Sequence, residues 1–207
     1  MIGLGVKENT VDGEKPPSKI EKTAIGKVEK WLVDEAKKVG LDIDGFDHEV
    51  TNEFVGHVMK RHGNEKTEKQ SGQIAIKKSD FDDIPSVLKN PDYTIVDSKR
   101  NNKNILTYAK EMGDGTMLYF EEVLNGKRNK ALCGVTMFKR KGIVNERDLA
   151  AIVTMNGKTS LKGAKIVIGR GGHSPIDADK AIDMTAATSA QSADSPDDSK
   201  RPKAPTG

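Results

Sequence analysis

The fold is decided by residues 93–140, YTIVDSKRNNKNILTYAKEMGDGTMLYFEEVLNGKRNKALCGVTMFKR. Four strand-like runs, Tyr93 to Asp97, Asn104 to Lys110, Met117 to Leu124 and Lys130 to Arg140, are separated by SKRNN, MGDG and the pair Asn125-Gly126. Asn, Asp and Gly tolerate the positive φ that tight hairpin turns require, so runs punctuated this way are strands joined by hairpins. Consecutive hairpins predict an antiparallel meander. In the fourth run Ala131, Cys133, Val135 and Met137 fall on one side and Leu132, Gly134, Thr136 and Phe138 on the other. The Cys133 side is expected against helices, which puts Thr136 on the opposite, open face.

Upstream the apolar period lengthens. Ser18 and Glu21 have the spacing of a capping box, and Ile20, Ala24, Val28, Trp31 and Leu32 then recur at helical intervals up to a stop at Gly40. A second helix is expected from about Asp47 to His62, with Val50, Phe54, Val55 and Val58 on one side and Gly63 as a left-handed cap. Gln73 to Lys77 alternates over a short stretch, and Ser79 opens a small helix ended by Asn90-Pro91. Downstream, Asn145 can cap a short helix from Glu146 to about Val153, and GAKIVIG can add an edge strand. Helices first and a meander second give an α+β fold, with N-terminal helices packed on one face of an antiparallel β-meander.

The 207 residues allow one ordinary domain with residues to spare. Residues 1–17 mix Gly, Pro and charge without periodicity and read as a leader. Residues 170–207, rich in Ser, Ala, Asp and Pro, read as a disordered tail, because such a composition cannot bury enough surface to offset its ordering entropy. The working domain is then 18–169. A net charge of +3 excludes indiscriminate coating of nucleic acid, so any nucleic-acid contact must be local. A single cysteine, Cys133, excludes a disulfide framework and a thiolate-rich metal site, and in mid-strand it reads as an inert core residue. No apolar run is long enough to span a membrane and no signal-peptide core opens the chain, so a soluble protein of the cytoplasm is expected.

Two features carry chemistry. Gly56-His57-Val58-Met59-Lys60-Arg61-His62-Gly63 closes the second helix. At about 100° per residue, His57 and His62 are roughly 140° apart, so they cannot chelate one metal from a regular helix. Either they are a border residue and a C-terminal cation suited to the helix dipole, or they move protons, for which imidazole has the most suitable unperturbed pKa. The second feature is three basic stretches at strand ends, Lys99-Arg100, Lys127-Arg128 and Lys139-Arg140-Lys141. They are solvated surface, or they converge to grip phosphates. Tyr93, Tyr108 and Tyr119, in successive strands, could stack bases. Asp82-Asp83 suits the positive end of a short helix and needs no metal.

Taken in order, the helix ending H-x4-H-G at His57 to Gly63, the strand Gln73 to Ile76, the stretch Asp80 to Asp92 (D-F-x-x-I-P-x-V-x-x-N-P-D) and T-M-F-K at Thr136 to Lys139 resemble the phage-borne branch of the barnase, EndoU, colicin and RelE-like nucleases, the PBECR domains. The resemblance covers roughly Val50 to Lys141. It implies a small α+β nuclease whose active site lies on the exposed sheet face, carried by phages or mobile elements. Such a protein acts in the host cytoplasm or travels with the virion. The implied chemistry is metal-independent and cofactor-free RNA cleavage, in which the 2′-hydroxyl attacks the neighbouring phosphodiester to give a 2′,3′-cyclic phosphate. His57 and His62 would then transfer protons and Thr136 would donate to a non-bridging oxygen. Lys99, Arg100, Tyr108 and Arg140 would bind substrate. The expected partner is RNA, with tRNA and ribosome-bound RNA as candidates, together with an immunity protein or a capsid component. Two alternatives stand beside this reading: an inactive nucleic-acid-binding or capsid-associated relative, and a globular module whose His and basic residues are plain surface.

Overall fold

A computed structural model describes residues 19–127, 129–157, 160–169 and 176–177. The expected leader lies outside the described residues, and so does the expected tail apart from residues 176–177. The meander is present as β4 (Tyr93–Arg100), β5 (Lys103–Met112), β6 (Gly115–Gly126) and β7 (Asn129–Arg140), each antiparallel to the next. Asn101 and Asn102 take φ of 51° and 62°, as a two-residue hairpin turn of mirror-image type demands. The β6–β7 turn falls later than Asn125-Gly126: these two residues pair with Lys130 and Asn129 and so belong to the strand.

The N-terminal segment departs from the helical expectation. Residues Lys22–Lys27 form β1, and only Lys30–Lys38 are helical, as α1. Thr23, Ile25 and Gly26 are poor helix formers, and the apolar spacing that suggested one long helix is equally available to a strand followed by a short helix. Ile20, expected in the buried stripe, is 53% exposed. The second expected helix divides in the same way. Asp47–Thr51 is β2, with His48 and Val50 buried and their neighbours half-buried, a period of two that a window of helical length obscures. Thr51 then caps α2 (Asn52–His62), accepting from the Phe54 amide at 3.0 Å.

Gly63 ends α2 but not in the left-handed region; its φ is −88°. It is needed for space, because a Cβ there would lie 2.5 Å from the Met59 carbonyl oxygen. After it come α3 (Glu65–Gln70), β3 (Gln73–Ile74), a 3-10 turn over Lys78–Asp83 and α4 (Ile84–Lys89). Asn145 caps α5 (Glu146–Gly157) as expected, accepting from the Asp148 amide at 2.9 Å. β8 (Lys165–Ile168) pairs with β4, and β9 (Ile176–Asp177), inside the expected tail, pairs with β8.

The sheet runs β1-β2-β7-β6-β5-β4-β8-β9, with β3 also on β7. Among the described residues its one parallel pairing is β2 with β7, Asp47 to Glu49 beside Ala131 to Cys133. The class is α+β, but helical residues enter two separate cores. Leu32, Val33, Phe54, Val58, Ile84 and Val87 join Val96, Leu106, Tyr119 and Met137 in one. Leu149, Ala150 and Val153 of α5 join Ile95, Ile105, Phe120 and Phe138 in the other. The face expected to be open is therefore partly covered by α5.

A bulge alters the side assignment in β7. Phe120 pairs with Thr136 and Glu121 with Gly134, leaving Val135 as the extra residue. One inserted residue exchanges faces along a strand. Leu132 and Met137 therefore both sit in the core that holds α1, α2 and α4, although strict alternation separates them. Cys133, expected in that core, is absent from it and half-buried.

Candidate active site

The two histidines of α2 border one cleft of about 650 Å³, lined with Lys60, Arg61, Glu68 and Gln73 among others. Their helical separation does not part them, because α3 and β3 fold back beside the last turns of α2. The Ile76 amide donates to the His62 carbonyl at 2.7 Å, and Asn64 caps α3 by accepting from the amides of Lys66 and Thr67. The two histidines therefore face a shared wall.

Their surroundings differ. His62 is half-buried; its Nδ1 lies 3.2 Å from Oε2 of Glu68, a carboxylate only 4% exposed, and its ring packs against Phe138 at 5.6 Å between centroids. With Nδ1 held by a carboxylate, Nε2 is the atom free for chemistry. His57 keeps part of its surface in solvent. Burial of the rest lowers its imidazole pKa below the ordinary 6.5, and the positive charges of Arg61, His62 and Arg100 act in the same direction. His57 is thus unprotonated at neutral pH, in a cleft wall otherwise rich in cations.

Of the expected substrate-binding residues, Arg100 is within electrostatic reach of His57. Arg140 pairs through its backbone with Gln73, a residue of the cleft wall. Lys99 is engaged elsewhere: its ammonium donates to Asp97 at 2.7 Å and also to Asn104. The three basic stretches do not converge, since the turns of a meander alternate ends. Lys99-Arg100 and Lys127 belong to one end of the sheet, and Arg140, opposite Thr116, to the other; Arg128 lies outside the described residues.

Two expectations need correction. Tyr108 has no exposed surface, and its hydroxyl donates to Glu121 at 2.9 Å, so it offers no face on which a base could stack. Tyr119 is equally buried. Thr136 is 7% exposed and is not part of the cleft wall; it faces away from the α2 core, as expected, but beside Phe120 and Phe138. In the T-M-F-K stretch Lys139 is structural. Its ammonium donates to Asp80 at 2.9 Å and to Asp114 at 2.8 Å, tying the 3-10 turn and the β5–β6 turn to β7. Burial alone would lower the pKa of this ammonium, but those hydrogen bonds outweigh it and leave it raised.

Reading the sequence missed Glu68, because no local spacing links it to His62; the chain reverses between them at Gly63-Asn64. It also missed a second buried histidine. His48 on β2 directs Nδ1 at both oxygens of Glu121, at 3.0 and 2.9 Å, and the same carboxylate accepts from Tyr108. The alternation of Phe46, His48 and Val50 was the available signal.

Residues 26–147 match the family described as phage Barnase-EndoU-ColicinE5/D-RelE-like nuclease 3 (PBECR3). The chain belongs to the PBECR3 family. The match takes in β1 from Gly26, the whole meander and the first two residues of α5, and so covers the two-histidine cleft. No curated protein and no solved structure matches the chain. Membership fixes the context as a phage-type nuclease and carries over to no individual side chain.

Proposed function

We propose that this PBECR3 chain is an endoribonuclease that cleaves RNA without a metal, and that the two-histidine cleft is its active site. The observation that carries the reading is the difference between His57 and His62 on one wall: an unprotonated imidazole beside Arg61, and a second imidazole fixed at Nδ1 by a buried carboxylate. A pair of proton-transfer groups in unlike environments on one cleft is what acid–base cleavage of a phosphodiester requires.

Each histidine is assigned the role that suits its surroundings. His57 takes the proton from the ribose 2′-hydroxyl as its oxygen forms a bond to phosphorus. His62 delivers a proton from Nε2 to the 5′-oxygen as the P–O5′ bond breaks. The products are a 2′,3′-cyclic phosphate and a free 5′-hydroxyl, and no proton or electron is left unassigned. Arg61 and Lys60 on the wall, with Arg100 nearby, supply fixed positive charge to the phosphorane as its charge develops. Thr136, expected as a hydroxyl donor, has no part in this set, and neither has Tyr108. Arg140, beside Gln73, extends the cationic wall along the RNA backbone. Host RNA is the proposed substrate, with tRNA the first to try.

The test is incubation of the purified chain with total tRNA in EDTA. Cleavage that is lost in His57→Ala and in His62→Ala supports the reading. Intact RNA that is retarded on a gel, with the retardation lost at higher salt, would instead favour a relative that binds nucleic acid without cutting it.

A further inference from the structure

The His48–Glu121–Tyr108 relay has no role in the cleft, and it opens onto a cavity of its own. Glu121 has no solvent exposure and accepts from two partners. His48 is 3% exposed, and no group among the described residues pairs with its Nε2. With Nδ1 directed at a carboxylate, Nε2 is the remaining hydrogen-bonding atom of the ring. His48 also lines a pocket of about 490 Å³ that shares no residue with the two-histidine cleft.

The backbone keeps this space clear. Gly26 is the β1 partner of His48, and a register shift between Ala24 and Gly26 makes Ile25 a bulge. A Cβ built at Gly26 would meet nothing within 4 Å. Bulges beside a pocket re-aim side chains, and here the residue directly opposite His48 carries none. The walls are apolar, from Ile25, Val28, Pro85 and Leu88, while Lys27, Lys30 and Lys89 stand at the mouth together with Glu29. Lys27 and Lys30 share their charge with Asp47 and Asp34, whereas Lys89 is exposed and makes no ion pair among the described residues.

We propose that this pocket binds a mononucleotide, with the base between the apolar walls, its polar edge hydrogen-bonded to Nε2 of His48, and the phosphate at Lys89. Each part answers a feature of the cavity. A base suits the apolar walls, an imidazole only 3% exposed calls for a polar partner, and an anion gains from the exposed Lys89 at the mouth. The site is separate from RNA cleavage and stands whether or not the cleft is catalytic.

The test is a titration of the full chain with 5′-UMP, uridine and inorganic phosphate, read by the 15N signals of the His48 ring and by calorimetry. 5′-UMP should shift the Nε2 signal and bind more tightly than uridine or phosphate. Lys89→Glu, an exposed change, should weaken 5′-UMP several-fold and leave uridine unaffected. Gly26→Leu should abolish 5′-UMP binding while tRNA cleavage and the melting temperature stay as in the parent. No shift of the His48 signal at millimolar 5′-UMP would overturn the proposal, and so would binding that Lys89→Glu and Gly26→Leu both leave unchanged.

Discussion

Nδ1 of His62 stands 3.2 Å from Oε2 of Glu68, six residues further along the chain, with the helix cap at Asn64 reversing direction between them. The carboxylate is buried, so the interaction is little screened by solvent, and it decides which ring nitrogen reaches the cleft. In the proposed reaction Glu68 acts through His62 as a positioning residue. Glu68→Gln should therefore lower kcat by about tenfold or more while changing KM little, since acid–base groups contribute 10²–10⁴-fold and the amide still hydrogen-bonds but no longer fixes the tautomer. Single-turnover kinetics on a short RNA, with the His62 ring nitrogens followed by NMR, checks both halves of the expectation.

The pH profile follows from His57. Its pKa lies below 6.5, lowered first by burial and then by Arg61, His62 and Arg100. A general base works only when unprotonated, so the acidic limb of kcat/KM should have its midpoint below 6.5. Removing a cation relieves part of the depression. Arg61→Gln and Arg100→Gln should each move that midpoint upward, toward the ordinary value, besides slowing the reaction. The sign for stability is the same: between the lowered pKa and 6.5 the unfolded chain holds the extra proton, so the His57 contribution to stability rises with pH across that window.

Lys139 holds Asp80, 5% exposed, and the half-exposed Asp114. Lys139→Ala strands the Asp80 carboxylate in the interior and should cost about 3–5 kcal/mol in urea unfolding. Pairing the change with Asp80→Leu should recover most of that loss, because a buried ion pair replaced by apolar groups is close to neutral. Recovery in the double variant separates the loss of a partner from the loss of packing.

Tyr108 gives the cleanest contrast between the sequence expectation and the structure. As a stacking residue it would lose RNA affinity when changed to Phe only slightly, and to Ala strongly. As the donor to Glu121 it should lose about 1.5–3 kcal/mol of stability on Tyr108→Phe, the range for a hydrogen bond to a charged group, with RNA affinity unchanged. Denaturant melts and filter binding on the same sample distinguish the two.

The meander was legible because its turns are written in Asn, Asp and Gly and its strands in β-branched and aromatic residues. The small helix before Asn90-Pro91 and the cap at Asn145 were legible for the same local reason. The strands β1 and β2 were not, since Ala24, Val28 and Val50 fit a helical spacing as well as a strand, and what selects the strand is pairing with β7, some eighty residues away from β2 in sequence. The bulge at Val135 has no local signature either, yet it decides that Cys133 leaves the helix-side core. The two histidines that line the cleft stood out by their spacing at the end of a helix. Glu68 and the tie between Tyr108 and Glu121 depend on chain reversals and registers that only folding supplies.

The central claim is that the two-histidine cleft cleaves RNA by attack of the 2′-oxygen. It is tested most directly by mass spectrometry of the fragment ends from a defined tRNA digested in EDTA by the parent chain, His57→Ala and His62→Ala. The parent should give 2′,3′-cyclic phosphate and 5′-hydroxyl ends, and both variants should lose them at unchanged melting temperature. Fragments bearing 5′-phosphate and 3′-hydroxyl ends, or cyclic phosphate formed equally well without His57 and His62, would contradict it.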